Sequence, residues 1–306
     1  MIISMKDVWH AAKKKHRAYV LEKIAIAEQL VGKSALTSQT LKDLLKQHAK
    51  DLATGSPATL RGLIDKVEAA ALSGDGLKTF HKEASRVFNY DAFTNKDAIG
   101  WNAYDLCKLA NQTLCPYCHQ SFAFTIQRGH RGRGFRPTID HFYPKAEYPY
   151  LSLSLFNLVP SCYTCNASLK GSINFHTNPH LHPFEDEEVI DFVFDLDAYL
   201  AWRSAPTAGL EIKVRHIGGA STASKADNSI RTFMLDERYV PHMGHFSRFA
   251  ECVYHWSPDL LAIWKERLKI DVSEAVLLNF DREGYRDEML GAVKRAIYDS
   301  LRNGSA

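Results

Sequence analysis

Apolar side chains return every three or four residues over much of the first hundred positions. Between Met5 and Leu30 the recurring set is Val8, Ala12, Tyr19, Ile24, Ile26 and Leu30, a helical period that Gly32 and Lys33 stop. Thr37 or Ser38 can cap a second helix through Leu41, Leu44, Leu45 and His48. A third follows Pro57 through Leu60, Leu63, Ile64 and Val67, and a fourth spans Leu77–Phe88. Asn89–Lys96 reads as a loop, and Ile99–Asn111 as a helix that delivers the chain to a pair of cysteines. The period then shortens. Phe122–Gln127 (FAFTIQ) and Pro137–Tyr143 (PTIDHFY) carry β-type residues. Asn157–Cys162 (NLVPSC) reads as a short strand feeding a helix from Tyr163 that Gly171 breaks or bends. Val189–Asp195 and Leu210–Val214 alternate apolar and polar, as half-buried strands do. From about Lys225 the helical period resumes to the end, with a break at Asp281–Gly284. The pattern predicts a mainly helical α+β protein. It divides into a helical region 1–98, a central region 99–184, and a C-terminal region 185–306 of short strands followed by helices.

A chain of 306 residues with 45% hydrophobic content can bury one large core or two to three smaller ones. No apolar run approaches a membrane span, and the N-terminus, MIISMKDVWHAAKKKHR, has no secretory leader pattern, so the expected location is the cytoplasm. A net charge of +3 says little by itself. Its distribution says more. Lys13–Arg17 (KKKHR) is either a solvated helix face or a nucleic-acid contact. Arg128, Arg131, Arg133 and Arg136, with His130, fall in the glycine-rich run RGHRGRGFR. Guanidinium forks suit phosphate, so this run is expected to contact a nucleic-acid backbone; the alternative is a merely basic loop. His176, His180 and His182 follow in a loop, as ordinary histidines or with one lining a site, and an acidic run, Glu185–Glu188, comes next.

Four of the six cysteines form two Cys-x-x-Cys pairs, Cys115/Cys118 and Cys162/Cys165. That spacing fits tetrahedral zinc in a reducing compartment better than a disulfide framework. An all-thiolate site has no open position, so the zinc is structural, supplying on the order of 10 kcal/mol of folding free energy. Cys107 and Cys252 are left over in helix-like segments and are expected to be buried small hydrophobes. Asp140, His141, Asn157 and Asn166 lie between the pairs or just beyond them, free for other work. Asp and Asn offer hard oxygens suited to magnesium or manganese, and a neighbouring histidine can act as a general base. Strand alternation sends Asp140 and His141 to opposite faces, so a bend after His141, which Pro144 can shape, is needed to bring both to one site. Lys145 and Lys170 can hold phosphates or lie exposed in solvent.

These landmarks, CPYC, IDHFYPK and FNLVPSCYTCNASLKG in order, resemble the HNH endonuclease motif, the ββα-metal fold, in its four-cysteine form. The likeness covers about Leu114–Gly171. It implies phosphodiester hydrolysis in nucleic acid, DNA ahead of RNA. It also implies roles: His141 as general base, Asp140 and Asn166 as ligands of a catalytic Mg2+ or Mn2+, and Asn157 as a brace for the loop carrying the histidine. The DHFxPK run, the HPF after the second cysteine pair and the helical flanks also resemble HNH nuclease subunits of Septu-type and retron-associated anti-phage defence systems. That likeness implies an ATPase partner. The contrasting expectation is a zinc-stabilised nucleic-acid-binding or adaptor subunit without catalysis.

Overall fold

The structure is a computed structural model that describes residues 3–30, 35–97, 99–127, 129, 134–205, 211–269 and 273–303. It is mainly helical with a few short antiparallel strand pairs, an α+β protein. The chain forms two compact units. One comprises Ser4–Thr113 and Phe122–Asp186; the other comprises Met1–Ile3, Leu114–Ser121 and Glu187–Ala306.

The first unit begins with four helices: α1 (Lys13–Gln29), α2 (Gln39–Thr54), α3 (Pro57–Ala69) and α4 (Gly74–Val87). Residues 6–12, expected to be helical, are turns instead. Ser38 caps α2 by accepting from the Leu41 N–H, and Ser56 caps α3 ahead of Pro57 at its first turn. Glu83 of α4 accepts from the N–H groups of Thr37 and Ser38, locking the entry to α2. Leu41, Leu44, Leu45, Leu60, Leu63, Ile64 and Phe80 supply the apolar core of this bundle. His16 departs from its solvated-looking KKKHR surroundings. It is fully buried, donating from Nε2 to the Leu153 carbonyl at 2.7 Å.

Two short helices follow, α5 (Tyr90–Thr94) and α6 (Ala103–Lys108). The first corrects the loop expected at Asn89–Lys96: Asn89 accepts from the Ala92 N–H and starts a turn of helix. The second is much shorter than the helix expected over Ile99–Asn111. Strands β1 (Ile126–Gln127) and β2 (Gly134–Phe135) form a small antiparallel ribbon, so only the last two residues of Phe122–Gln127 are strand.

The central hairpin pairs β3 (Thr138–His141) with β4 (Leu158–Ser161), Asp140 opposite Val159 and His141 opposite Leu158. All of β4 and the last three residues of β3 are buried, so this hairpin is covered on both faces. The Trp9 indole donates to the Leu158 carbonyl and Gln112 Nε2 to the Pro160 carbonyl, which satisfies the outer backbone acceptors of β4. A helix of unusually wide turns, Thr164–Lys170, packs against β3, and the Gly171 N–H bonds back to the Asn166 carbonyl, five residues earlier.

In the second unit, β5 (Ile190–Phe194) and β6 (Ile212–His216) pair antiparallel, with Ile190, Phe192 and Phe194 buried in alternation. Among its described residues follow the helices α7 (Leu196–Ser204), α8 (Ala220–Thr232), α9 (Leu235–Tyr239), α10 (Met243–His255), α11 (Pro258–Leu268), α12 (Glu274–Leu278) and α13 (Gly291–Asn303). The expected break at Asp281–Gly284 falls between α12 and α13. Cys252 corrects an expectation. Phe246, Phe249, Ala250 and Val253 form the buried stripe of α10, which leaves Cys252 on the exposed face, whereas Cys107 is buried as anticipated.

Candidate functional site

The local folding of each cysteine pair is distinct. The Cys115–Cys118 turn closes with the His119 N–H bonded to the Cys115 carbonyl. His119 then adopts a left-handed φ of +52°, a conformation costly for a residue with a Cβ. The surroundings hold it there. His119 Nε2 donates to the Arg286 carbonyl at 3.0 Å, Nδ1 accepts from the Ala292 N–H, and its own carbonyl accepts from the Leu290 N–H. Burial lowers its pKa to about 4, so it sits neutral with one nitrogen donating and one accepting. Tyr239 donates to the Cys118 carbonyl at 2.7 Å, and Tyr117 stacks on Phe233 at 4.4 Å. Cys162 and Cys165 lie at the start of the wide-turn helix, where the Cys165 N–H points at the Cys162 sulfur, 3.4 Å away.

All four cysteines are buried, and their sulfurs lie within 4.8 Å of one another. In tetrahedral zinc thiolate sites, sulfurs about 2.3 Å from the ion are spaced about 3.8 Å apart. The donor set and spacing therefore fit one zinc ion, and N–H donation to a sulfur is the usual way a thiolate ligand is supported.

Asp140, His141 and Asn157 gather around the hairpin. His141 is the last residue of β3, and its Nε2 lies 3.0 Å from the Ser152 carbonyl. A carbonyl only accepts, so Nε2 carries the proton and Nδ1 keeps its lone pair. Burial lowers the pKa of His141 to about 4. The Tyr90 ring meets it edge-on at 4.4 Å, and Lys145 Nζ lies 4.8 Å above Tyr90 and 3.2 Å from Asp91. Asn157 is completely buried. It accepts from the Tyr143 N–H at 2.7 Å and donates to the carbonyls of Tyr143 (3.1 Å) and Leu151 (3.0 Å). These bonds pin both ends of the segment between β3 and β4, which turns at Pro144, whose carbonyl accepts from the N–H groups of Glu147 and Tyr148.

Lys170 requires a correction. Expected to hold phosphate or lie exposed, it is 2% exposed, as is its partner Asp140, and Nζ lies 2.9 Å from Asp140 Oδ1. The same ammonium donates to the His141 carbonyl at 2.7 Å and sits over Phe175. Lys170 therefore ties the wide-turn helix to the strand that carries Asp140 and His141. Asn166 lies half-exposed on that helix, one residue past Cys165. Arg136 donates from Nη1 to the Pro137 carbonyl and lies over Tyr104. Arg128, Arg131 and Arg133 lie outside the described residues.

The histidine loop is structural for the most part. His180 stacks on Phe175 at 3.8 Å and His182 meets Phe142 at a tilt, ring centroids 4.0 Å apart, both histidines buried. His176 Nε2 lies 3.7 Å from Asp65 Oδ1 and 3.9 Å from Glu68 Oε2. Tyr90 and His119 went unmarked in the sequence. The Asn89 cap was the one local signal for the helix that places Tyr90; His119 had none.

No protein-family model matches the chain, and no solved structure matches it. The chain is similar to protein ea31 of Escherichia phage lambda, with 33% identity over 88 residues, 28% of this chain and 26% of that protein. It thus spans about a quarter of the length of that curated relative. Among the described residues no helix is long and apolar enough to cross a membrane.

Proposed function

We propose that the chain is a zinc-stapled HNH endonuclease that hydrolyses phosphodiester bonds. The observation that carries the reading is the tautomer of His141. Its Nε2–H is committed to the Ser152 carbonyl, which leaves Nδ1 as an acceptor. Nδ1 takes the proton from an attacking water, while Asn157 and Lys170 hold the backbone around the ring in place. Asp140 and Asn166 are the oxygen donors for one divalent cation, which would neutralise charge on the scissile phosphate when bound. Asp140 reaches that task already paired with the Lys170 ammonium, so it shares its charge.

The same burial favours a second reading. A histidine 8% exposed beside a sealed ion pair is also what a non-catalytic, zinc-stabilised nucleic-acid-binding subunit would contain. Incubating the protein with plasmid DNA and with RNA, in Mg2+ or Mn2+ and then in chelator, separates the two. The nuclease reading expects metal-dependent cutting that His141→Ala abolishes at unchanged zinc content; equal cutting by that variant removes His141 as the base. A defence role alongside an ATPase belongs to the same proposal, and co-purification with a co-encoded ATPase tests it.

A further inference from the structure

The ribbon that precedes the hairpin, and the residues leading into it, expose apolar side chains. Residues 123–125 lead into β1 without strand pairing of their own. Ala123 is buried and the Thr125 hydroxyl is buried, so those two face inward. Phe122 and Ile126 are 56% and 54% exposed, and Phe135, opposite Ile126 on β2, is 52% exposed. Phe124 links them, with ring centroids 5.3 Å from Phe122 and 5.5 Å from Phe135. Surface stretches are ordinarily polar; this one exposes Phe122, Ile126 and Phe135 around the half-buried Phe124.

The charge carried by this stretch of sequence selects the occupant. The residues joining β1 to β2 are rich in arginine and glycine by sequence, and no acidic residue occurs from Phe122 to Arg136. Arg136, directly after Phe135, keeps a buried Nε with no partner among the described residues. Exposed aromatic rings in a stretch of sequence that is basic and free of acids suit a polyanion whose bases are free to stack, and bases are free only when unpaired.

We infer that Phe122, Phe124 and Phe135 form a stacking platform for single-stranded nucleic acid. The inference rests on the reading of the chain as acting on nucleic acid, yet it does not need catalysis. It is tested by fluorescence anisotropy on the full zinc-loaded chain without added Mg2+ or Mn2+, using a labelled oligothymidylate and a labelled duplex of equal length. The expected result is tighter binding of the single strand. Phe122→Ala and Phe135→Ala should each weaken it roughly tenfold, with little change for the duplex. The salt slope should stay unchanged, because no charge is lost. Phe122→Trp, which keeps a stacking face, should restore binding, and matching thermal melts show that the variants are folded. Three results would overturn the inference: single-strand affinity indifferent to both alanine variants, preference for the duplex, or loss of self-association as the sole effect of the variants, which would make the face a contact between copies. If the wild type binds single strands through these rings yet cuts nothing, the nuclease reading fails and the platform stands. If it cuts duplex and the rings are irrelevant, the reverse holds.

Discussion

Replacing Lys170 with methionine keeps the length of the side chain and removes its ammonium. In the native protein that ammonium lies 2.9 Å from Asp140 Oδ1 and 2.7 Å from the His141 carbonyl, with both side chains of the ion pair 2% exposed. Breaking a buried pair from one side leaves an uncompensated carboxylate, costing about 3–5 kcal/mol, and the carbonyl loses a charged donor worth about 1 kcal/mol or more. The expected loss of about 4–6 kcal/mol is a large share of the roughly 5–15 kcal/mol that keeps a domain folded. At roughly 2–4 °C per kcal/mol for a unit of this size, the melting temperature should fall by roughly 10–20 °C. Circular dichroism melts of zinc-loaded wild type, Lys170→Met, and Lys170→Met with Asp140→Asn measure it. The double variant removes the stranded charge and should recover at least half of the loss. A single variant that melts within about 2 °C of wild type, or a double variant no better than the single, would refute the argument that the pair is sealed from water.

Four further outcomes follow from the geometry. Asn157→Ala should cost about 2–4 kcal/mol in denaturant unfolding, and Asn157→Asp should not rescue it, because two of the three partners are carbonyls that a carboxylate cannot serve; wild-type stability in the Asp variant would contradict those bonds. His16 has its folded pKa lowered from 6.5 to about 4 by burial, so the unfolded chain takes up a proton first. Its contribution is therefore complete above pH 6.5 and lost as pH falls toward 4, about 3 kcal/mol in all. His16→Gln can still donate to Leu153 and accept from Trp101, and should flatten that part of the pH–stability curve; an unaltered slope would place the acid lability elsewhere. Cys162→Ser should lower zinc below one ion per chain by metal analysis and yield poorly soluble protein, whereas full zinc content would take Cys162 out of the ligand set. Tyr90→Ala should speed diethyl pyrocarbonate modification of His141 several-fold, read by mass spectrometry, and an unchanged rate would show that Tyr90 does not shield the ring.

The long helices were legible because their apolar residues repeat over several turns and their caps, Ser38 and Ser56, are of the expected type. The hairpin was legible because strand residues flank the landmarks on both sides. Short elements fared worse. Tyr90–Thr94 has too few residues to show a period, and a single capping asparagine is equally at home in a loop. Phe122–Gln127 has β-type composition, but only Ile126 and Gln127 find a partner strand. Composition does not say which side of a helix faces the core, so a cysteine in a helical stretch need not be buried, and Cys252 is exposed. Lys170 shows the same limit. A lysine in a motif looks like a phosphate contact until its distance to Asp140 is known, and that contact spans 30 residues of chain.

The helix from Thr164 to Lys170 closes its last turn across five residues where an ordinary helix would use four, a geometry that commonly arises when one residue has been added to a regular turn. Removing one of the exposed pair Ala167 and Ser168 would let the hydrogen bonding relax to the commoner spacing, a local gain. It would also swing everything beyond the cut by about 100° around the axis. The charged tip of Lys170 would then face away from the hairpin. Exchanges at these two positions should therefore be harmless where shortening is not, and the count of residues here matters more than their identity.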